Sequence, residues 1–454
     1  MTKRLASLLL LFFAAYLGVT VVLASRLSLW VDEILELFGT RDQASLASLI
    51  RWIPINPGSA PLGYLTQRLA LDLFGFSAFA ARLPSIVWSL AACAGVLLIA
   101  RQLRLRAAAL APVLFALLPL QFRYASEGRP YAQALALGIG ATAAFLSLVS
   151  KPSLRISALY TLLLAAGIYT QPLAVFVGAS HLAWCLCCLE RPRRMAVFLR
   201  AAMANAVAVA LFLPWLRFAG TRWGDSIVRS GYAFRPSWSV VAMILRELCG
   251  HYAITALVVA ALIYTLREPA AGRGVRSFLW LSVLVPIAGA LISDAWAHYF
   301  FATRQLIFAL PGIALLAADA FGLLLLKRTS AGIVLLALLA GVLVVQDAKA
   351  FIRPREDWAL AAHALEARAG PGGCILTTMW PLYRFFVPEL YGRRCADDLS
   401  GAQQVILPVA PYTAESDLAE ARKRLESHGF RPDPGAEDAG GTRIQIFRRR
   451  PGTQ

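Results

Sequence analysis

LASLLLLFFAAYLGVTVVLA, Leu5 to Ala24, followed by Trp30-Val31-Asp32-Glu33, is the stretch that decides the fold. The apolar run carries no charge over roughly twenty residues, the length an α-helix needs to cross a bilayer. Two carboxylates then stand side by side just beyond its end. A helix that leaves a membrane with an acidic pair at its mouth can set a carboxylate against a lipid-borne substrate. Met-Thr-Lys-Arg ahead of the run would also suit a secretory leader. The run is long, however, and Ala24-Ser25-Arg26 is a poor cleavage signal, so a retained first span is expected.

The rest of the chain repeats the apolar theme. Of 454 residues, 59% are hydrophobic and only 15% charged, which excludes an ordinary soluble domain and fits a polytopic membrane protein. Runs that could cross occupy 5–24, 79–100, 107–122, 131–149, 157–170, 172–189, 196–216, 250–266, 278–293, 305–326 and 331–347, about eleven in all. The net charge of +18 would point to nucleic acid in a soluble protein. Here much of it sits in short loops, where it sets orientation, and no nucleic-acid partner is expected. Lys3 and Arg4, Arg101 to Arg106, Lys151 to Arg155, Arg191 to Arg200, Arg267 to Arg276 and Lys327-Arg328 all fall on one side if the count is eleven. That side is the cytoplasm. The expectation is therefore a multi-pass protein of a cell inner membrane, with a cytoplasmic N-terminus and an external, periplasmic C-terminal domain.

The external side receives 25–78, 123–130, about 170–172, 217–240, 294–304 and the tail. Within 25–78, Ile34, Leu35, Leu37, Phe38, Leu46, Leu49 and Ile50 recur at helical spacing among polar residues, the pattern of a helix lying along a membrane surface. Asn56 to Pro61 breaks it before a second apolar-faced segment, Leu62 to Phe74. Residues 1–347 read as a transmembrane domain. Residues 348–454 change character, with more charge, more Pro and Gly and no possible span. Helix and strand patterns alternate there, with turns expected at Pro371-Gly372-Gly373 and Pro432-Asp433-Pro434-Gly435, so a small α/β domain is expected. The fold class is thus an all-α polytopic bundle with a small C-terminal α/β domain. Cys374 and Cys395 both lie in that domain, where an oxidising compartment would let them pair.

Asp32 and Glu33 have two readings: caps for the surface helix, or chemistry. Their company favours chemistry. Glu127-Gly128-Arg129-Pro130-Tyr131 fills the next external loop, and His298 to Arg304 precedes a late span. Arginines at 82, 123, 217, 222, 229 and 235 add to the same face, against the usual charge bias. A planar guanidinium suits bidentate phosphate recognition. Acid at a reaction centre with bases around it describes a site for an anionic lipid.

With Pro61-Leu62-Gly63-Tyr64 after the surface helix and Tyr299 to Pro311 leading into a late span, this order of elements resembles the GT-C superfamily of integral-membrane glycosyltransferases. The likeness is to the family-39-like branch that includes protein O-mannosyltransferases and the aminoarabinose transferase of lipid A. The resemblance implies a polyprenyl-phosphate sugar donor and a lipid, glycan or protein acceptor, with transfer on the external face and inversion at the anomeric carbon. It implies that Asp32 is the general base and that Glu33 orients it or the acceptor. Arg129 and Arg304 would hold the donor phosphate, Glu127 and Tyr131 would bind sugar hydroxyls unless Glu127 simply pairs with Arg129, and Gln171, His298 and Tyr299 would contact substrate. Relatives often show a histidine ahead of the Pro-Pro-Leu-like segment and a Tyr-Thr-His between middle spans. This chain has Asn56 to Ala60 and Tyr169-Thr170-Gln171 instead, which removes two possible metal ligands, and no cofactor is expected. The rival class is a transporter or flippase for lipid-linked saccharides, which intramembrane charges would mark.

Overall fold

The computed structural model describes residues 3–449 apart from 57, 189–190, 231–271 (of which 244, 246, 248 and 263 are described), 298–301, 353–355, 371, 397, 400 and 412. The chain forms two compact units, Met1–Ser25 with Gly39–Phe351, and Arg26–Phe38 with Ile352–Gln454.

The first unit is a helical bundle. Among the described residues seven helices are long and apolar enough to cross a membrane, including α1 (Lys3–Arg26), α5 (Ala78–Gln102) and α8 (Tyr131–Ser150). Between α1 and α5 the chain forms α2 (Val31–Thr40), most of which belongs to the second unit, then α3 (Leu46–Trp52) and α4 (Pro61–Phe74), which lie on either side of the Asn56–Pro61 break. The expected span 250–266 lies outside the described residues, Ile263 excepted.

Proline writes the breaks in this unit. The apolar run 107–122 is two short helices, α6 (Leu110–Ala116) and α7 (Pro119–Ala125), because Leu118 must be extended (ψ 129°) before Pro119. The same rule holds Gln171 extended (ψ 114°) before Pro172, which divides α9 (Leu154–Thr170) from α10 (Val175–Cys188). Serine starts three of the described helices: the side chains of Ser45, Ser77 and Ser153 accept from the amides of Ser48, Ala80 and Ile156.

With no water inside a bilayer, polar side chains there must satisfy one another. Asn205, in α11 (Arg191–Ser230), donates to Tyr160 Oη at 2.9 Å. Tyr160 Oη lies 3.0 Å from His181 Nδ1, and His181 Nε2 lies 3.2 Å from Thr142 Oγ1. This chain of contacts ties α8, α9, α10 and α11 together.

The second unit holds the tail. Its sheet has the order β1-β2-β4-β3, where β1 is Gly373–Ile375, β2 Gln404–Val409, β3 Phe430–Ala439 and β4 Thr442–Arg449. β1 and β2 are parallel; β4 is antiparallel to both β2 and β3. Leu399, Val405, Leu407, Leu425, Phe430 and Phe447 form its core. Cys374 and Cys395 are joined by a disulfide. Pro432 to Gly435 is not the turn its composition suggests. It is a bulge inside β3, where the register slips between Pro432 and Ala436, and the edge position tolerates prolines that cannot donate to a ladder. The hairpin turn is Gly440-Gly441, both at positive φ (61° and 80°), which glycine adopts without steric cost.

The segment Arg26–Phe38 packs with this domain. Phe38 meets Phe385 edge to face at 5.2 Å, and the Arg384 guanidinium lies 5.5 Å from the Phe38 ring centre. Both partners come from or adjoin the short helix Trp380–Phe386.

Candidate active site

Asp32 and Glu33 stand in the first turn of α2, and the structure gives them different environments. Glu33 is fully buried, and its Oε2 accepts the Trp30 backbone N–H at 3.3 Å. That is the helix-start contact in which a glutamate reaches back to the residue before the helix. Asp32, one position earlier, is half-buried. Glu36, which spacing alone did not single out, is also buried, at 1% exposure. It follows Glu33 by three residues and Asp32 by four, so all three carboxylates share one side of α2. That i, i+3, i+4 spacing was the available signal.

The loop before α8 belongs to the first unit and is built from backbone outward. Glu127 O accepts from Arg129 N at 2.8 Å, a tight local turn. Gln67 Nε2 donates to Gly128 O at 2.9 Å, and Ser85 Oγ donates to Arg129 O at 3.1 Å. The loop is thus held by α4 on one side and α5 on the other. Gly63 explains the close approach of α4: any Cβ there would run into the rigid ring of Pro130. Two separately noticed motifs, Pro61 to Tyr64 and Glu127 to Tyr131, are therefore one packed unit. Tyr64 is fixed in turn by Asn56 Nδ2, which donates to its hydroxyl at 3.0 Å.

On this scaffold Arg123 Nε donates to Glu127 Oε1 at 2.9 Å, an i, i+4 pair whose carboxylate is only 3% exposed. Tyr124 and Tyr131 pack at 4.6 Å between ring centres, and the Arg129 guanidinium lies 5.8 Å from the Tyr131 ring centre. Burial, and then the charge of Glu127, hold the Tyr124 phenol above its ordinary range, while Arg123 and Arg304 pull it back. Tyr124 therefore stays a protonated donor at neutral pH. The same influence puts Arg304, second residue of the 3-10 turn Thr303–Ala309, within electrostatic reach of the loop. Arg123, Glu127, Tyr131 and Arg304 thus gather around Tyr124, and Arg129 lies against the Tyr131 ring. Gln171 is buried at the break between α9 and α10, where its carbonyl accepts from Ala174 N at 2.9 Å. His298 and Tyr299 lie outside the described residues.

Two of the external arginines, Arg82 and Arg222, and also Arg68, which the sequence did not single out, reach backbone carbonyls at helix ends. Arg82 is buried at 1% exposure and donates to Ala24 O, at the C-terminal end of α1, at 3.0 Å. Arg222 donates to Arg51 O, near the end of α3, at 3.0 Å. Arg68 reaches Gln43 O at 2.7 Å and Thr40 O, the last residue of α2, at 3.3 Å. Cations at helix C-termini satisfy orphan carbonyls and complement the dipole.

Residues 58–218 match the family model described as dolichyl-phosphate-mannose-protein mannosyltransferase. The fold is similar to that of ArnT from Cupriavidus metallidurans bound to undecaprenyl phosphate, with TM-score 0.61 and 13% identity over 97% of this chain and 98% of ArnT. The apo form of the same protein gives TM-score 0.60 and 12% identity over 98% of each chain. This chain has the fold of that membrane protein. No curated protein matches it in sequence. The segment that matches the family model begins in the loop before α4 and includes the whole of the Arg123–Tyr131 region. The acidic turn lies ahead of that segment.

Proposed function

We propose that this protein is a glycosyltransferase that moves a sugar from a polyprenyl-phosphate donor to an acceptor hydroxyl on the external face of a cell inner membrane, with inversion. The observation that carries the proposal is the unequal fate of two neighbouring carboxylates. Glu33 is fully buried with its carboxylate on the Trp30 amide, whereas Asp32 in the same turn is only half-buried, so its carboxylate is the more accessible of the two to an acceptor. In the proposed step the acceptor hydroxyl gives its proton to Asp32 while its oxygen attacks the anomeric carbon. The bond from that carbon to the phosphate oxygen breaks, and its electron pair leaves with polyprenyl phosphate. A phosphate is already a good leaving group, so one base suffices, unlike the two-carboxylate arrangement of glycosidases.

Arg129 and Arg304 hold the phosphate and stabilise the charge that grows on it. Glu127 keeps Arg123 in place, and Tyr131, Gln171, His298 and Tyr299 contact donor or acceptor. The likeness to an ArnT structure that contains undecaprenyl phosphate supports the donor class. The Cys374–Cys395 disulfide supports an oxidising, external setting for the tail domain, and the basic loops support a cytoplasmic N-terminus.

Purified protein in nanodiscs, offered a panel of radiolabelled polyprenyl-phosphate monosaccharides, tests this. Saturable binding that is lost in Arg129→Ala, with slow release of free sugar lost in Asp32→Asn, is the expected result. No binding to any donor would sink the proposal and make lipid flipping the next assay.

A further inference from the structure

We propose that the C-terminal domain carries a saccharide-binding crevice of its own. The crevice holds about 330 Å³, at the lower end of the size range of small-molecule sites. It opens beyond the carboxyl ends of the parallel strands β1 and β2, where α/β sheets place their ligands. Thr377 and Thr378 leave β1 into it, Pro408 closes β2, and the helix Glu415–Ser427 forms the facing wall. None of the acidic turn Trp30–Glu36 lines it.

The lining chemistry selects the ligand class. Asp417 and Glu420 stand three residues apart on the helix wall, exposed, and offer acceptors. Arg394 and Arg424 offer donors, and the threonine hydroxyls do both. An anionic ligand would meet the two carboxylates, and a cationic one the two guanidiniums. A polyhydroxylated, neutral ligand pairs with all of them, since every hydroxyl both donates and accepts. Trp380, buried to 8% exposure, contributes an apolar edge to the lining.

The walls are fixed before any ligand arrives, which lowers the entropy cost of binding. Arg424 Nη2 donates to Ala396 O at 2.9 Å. Thr377 Oγ1 and Thr413 Oγ1 accept from the amides of Met379 and Ala410, each at 3.0 Å. The Cys374–Cys395 disulfide ties β1 to the segment that carries Arg394, and Ile375 bridges to Arg394 itself. Saccharide binding here stands on this domain alone. That the saccharide is the glycan acceptor rests on the transfer proposal above.

The full-length protein in nanodiscs, applied to an array of soluble neutral and charged di- to hexasaccharides, tests the crevice. Wild type should bind a subset that is mainly neutral, and Asp417→Ala/Glu420→Ala should lose at least about tenfold in affinity, since hydrogen bonds to charged groups are the stronger kind. Asp417→Asn/Glu420→Gln, which keeps shape and fold, should show the same direction. Arg129→Ala should leave array binding unchanged while losing donor binding, so the two proposals can fail separately. Three results would overturn the crevice: no binding by wild type at millimolar saccharide, wild-type affinity in both double variants, or array binding lost with Arg129→Ala alone.

Discussion

The turn Trp30–Glu36 and the loop Arg123–Tyr131 are built from the same few residue types, yet they are stabilised in opposite ways. In the turn, a carboxylate is spent on the backbone: Glu33 is buried against the Trp30 amide, and Asp32 is left half-buried beside it. In the loop, side chains from outside hold the backbone, Gln67 and Ser85 on the carbonyls of Gly128 and Arg129, and the charged groups are matched to each other. A motif read as a single acidic or basic cluster is thus two kinds of part, one that positions and one that is positioned. Adjacent residues in one helical turn can fall into different kinds, because they leave the axis about 100° apart.

The sharpest way to break this comparison is Asp32→Asn. Turnover from a polyprenyl-phosphate sugar, measured under single-turnover conditions, should fall about a hundredfold or more, with thermal stability and donor binding retained. Near-normal turnover would remove the distinction between Asp32 and Glu33. Next comes Arg129→Ala, which should weaken donor affinity by about 10- to 100-fold, the loss expected for one charge-assisted hydrogen bond, while the catalytic step on saturating donor changes less. Equilibrium binding of the labelled donor reads this directly.

Gly63→Ala sharpens the loop half. Its methyl group meets the Pro130 ring, which cannot rotate away, so a stability loss of about 1–3 kcal/mol is expected, as for overpacked cores. Donor affinity should fall with it, because Pro130 adjoins Arg129. A melting curve equal to wild type would show that the loop yields. The smallest effect is expected for Glu33→Ala, about 1 kcal/mol from loss of a helix-start contact. Glu33→Gln, which can keep that contact, should restore stability. If Glu33→Ala instead abolished turnover as fully as Asp32→Asn, both carboxylates would be acting on substrate.

Much of the bundle was legible because a bilayer imposes its period and length on the sequence. The run Leu5 to Ala24 leaves a spanning helix little alternative, and it is one, from Lys3 to Arg26. Breaks were harder. Residues 107–122 are apolar throughout, and only the constraint before Pro119 divides them into two helices. In the tail, Pro432 to Gly435 has turn composition but sits inside an edge strand, since bulge and turn use the same residues. Arg82 looked like the other external arginines, and its burial against the end of α1 depends on a partner 58 residues away.

The sequence by itself determined the solvent, the order of elements and the two stretches that carry acid and base, because composition and periodicity act over a few turns of chain. Tertiary structure alone decided which carboxylate is buried on the Trp30 amide and which is half-buried, which arginines serve helix ends, why Gly63 must be glycine, and that a crevice opens past β1 and β2. Those outcomes depend on partners tens of residues apart, whose pairing is set by packing and hydrogen-bond geometry rather than by local pattern.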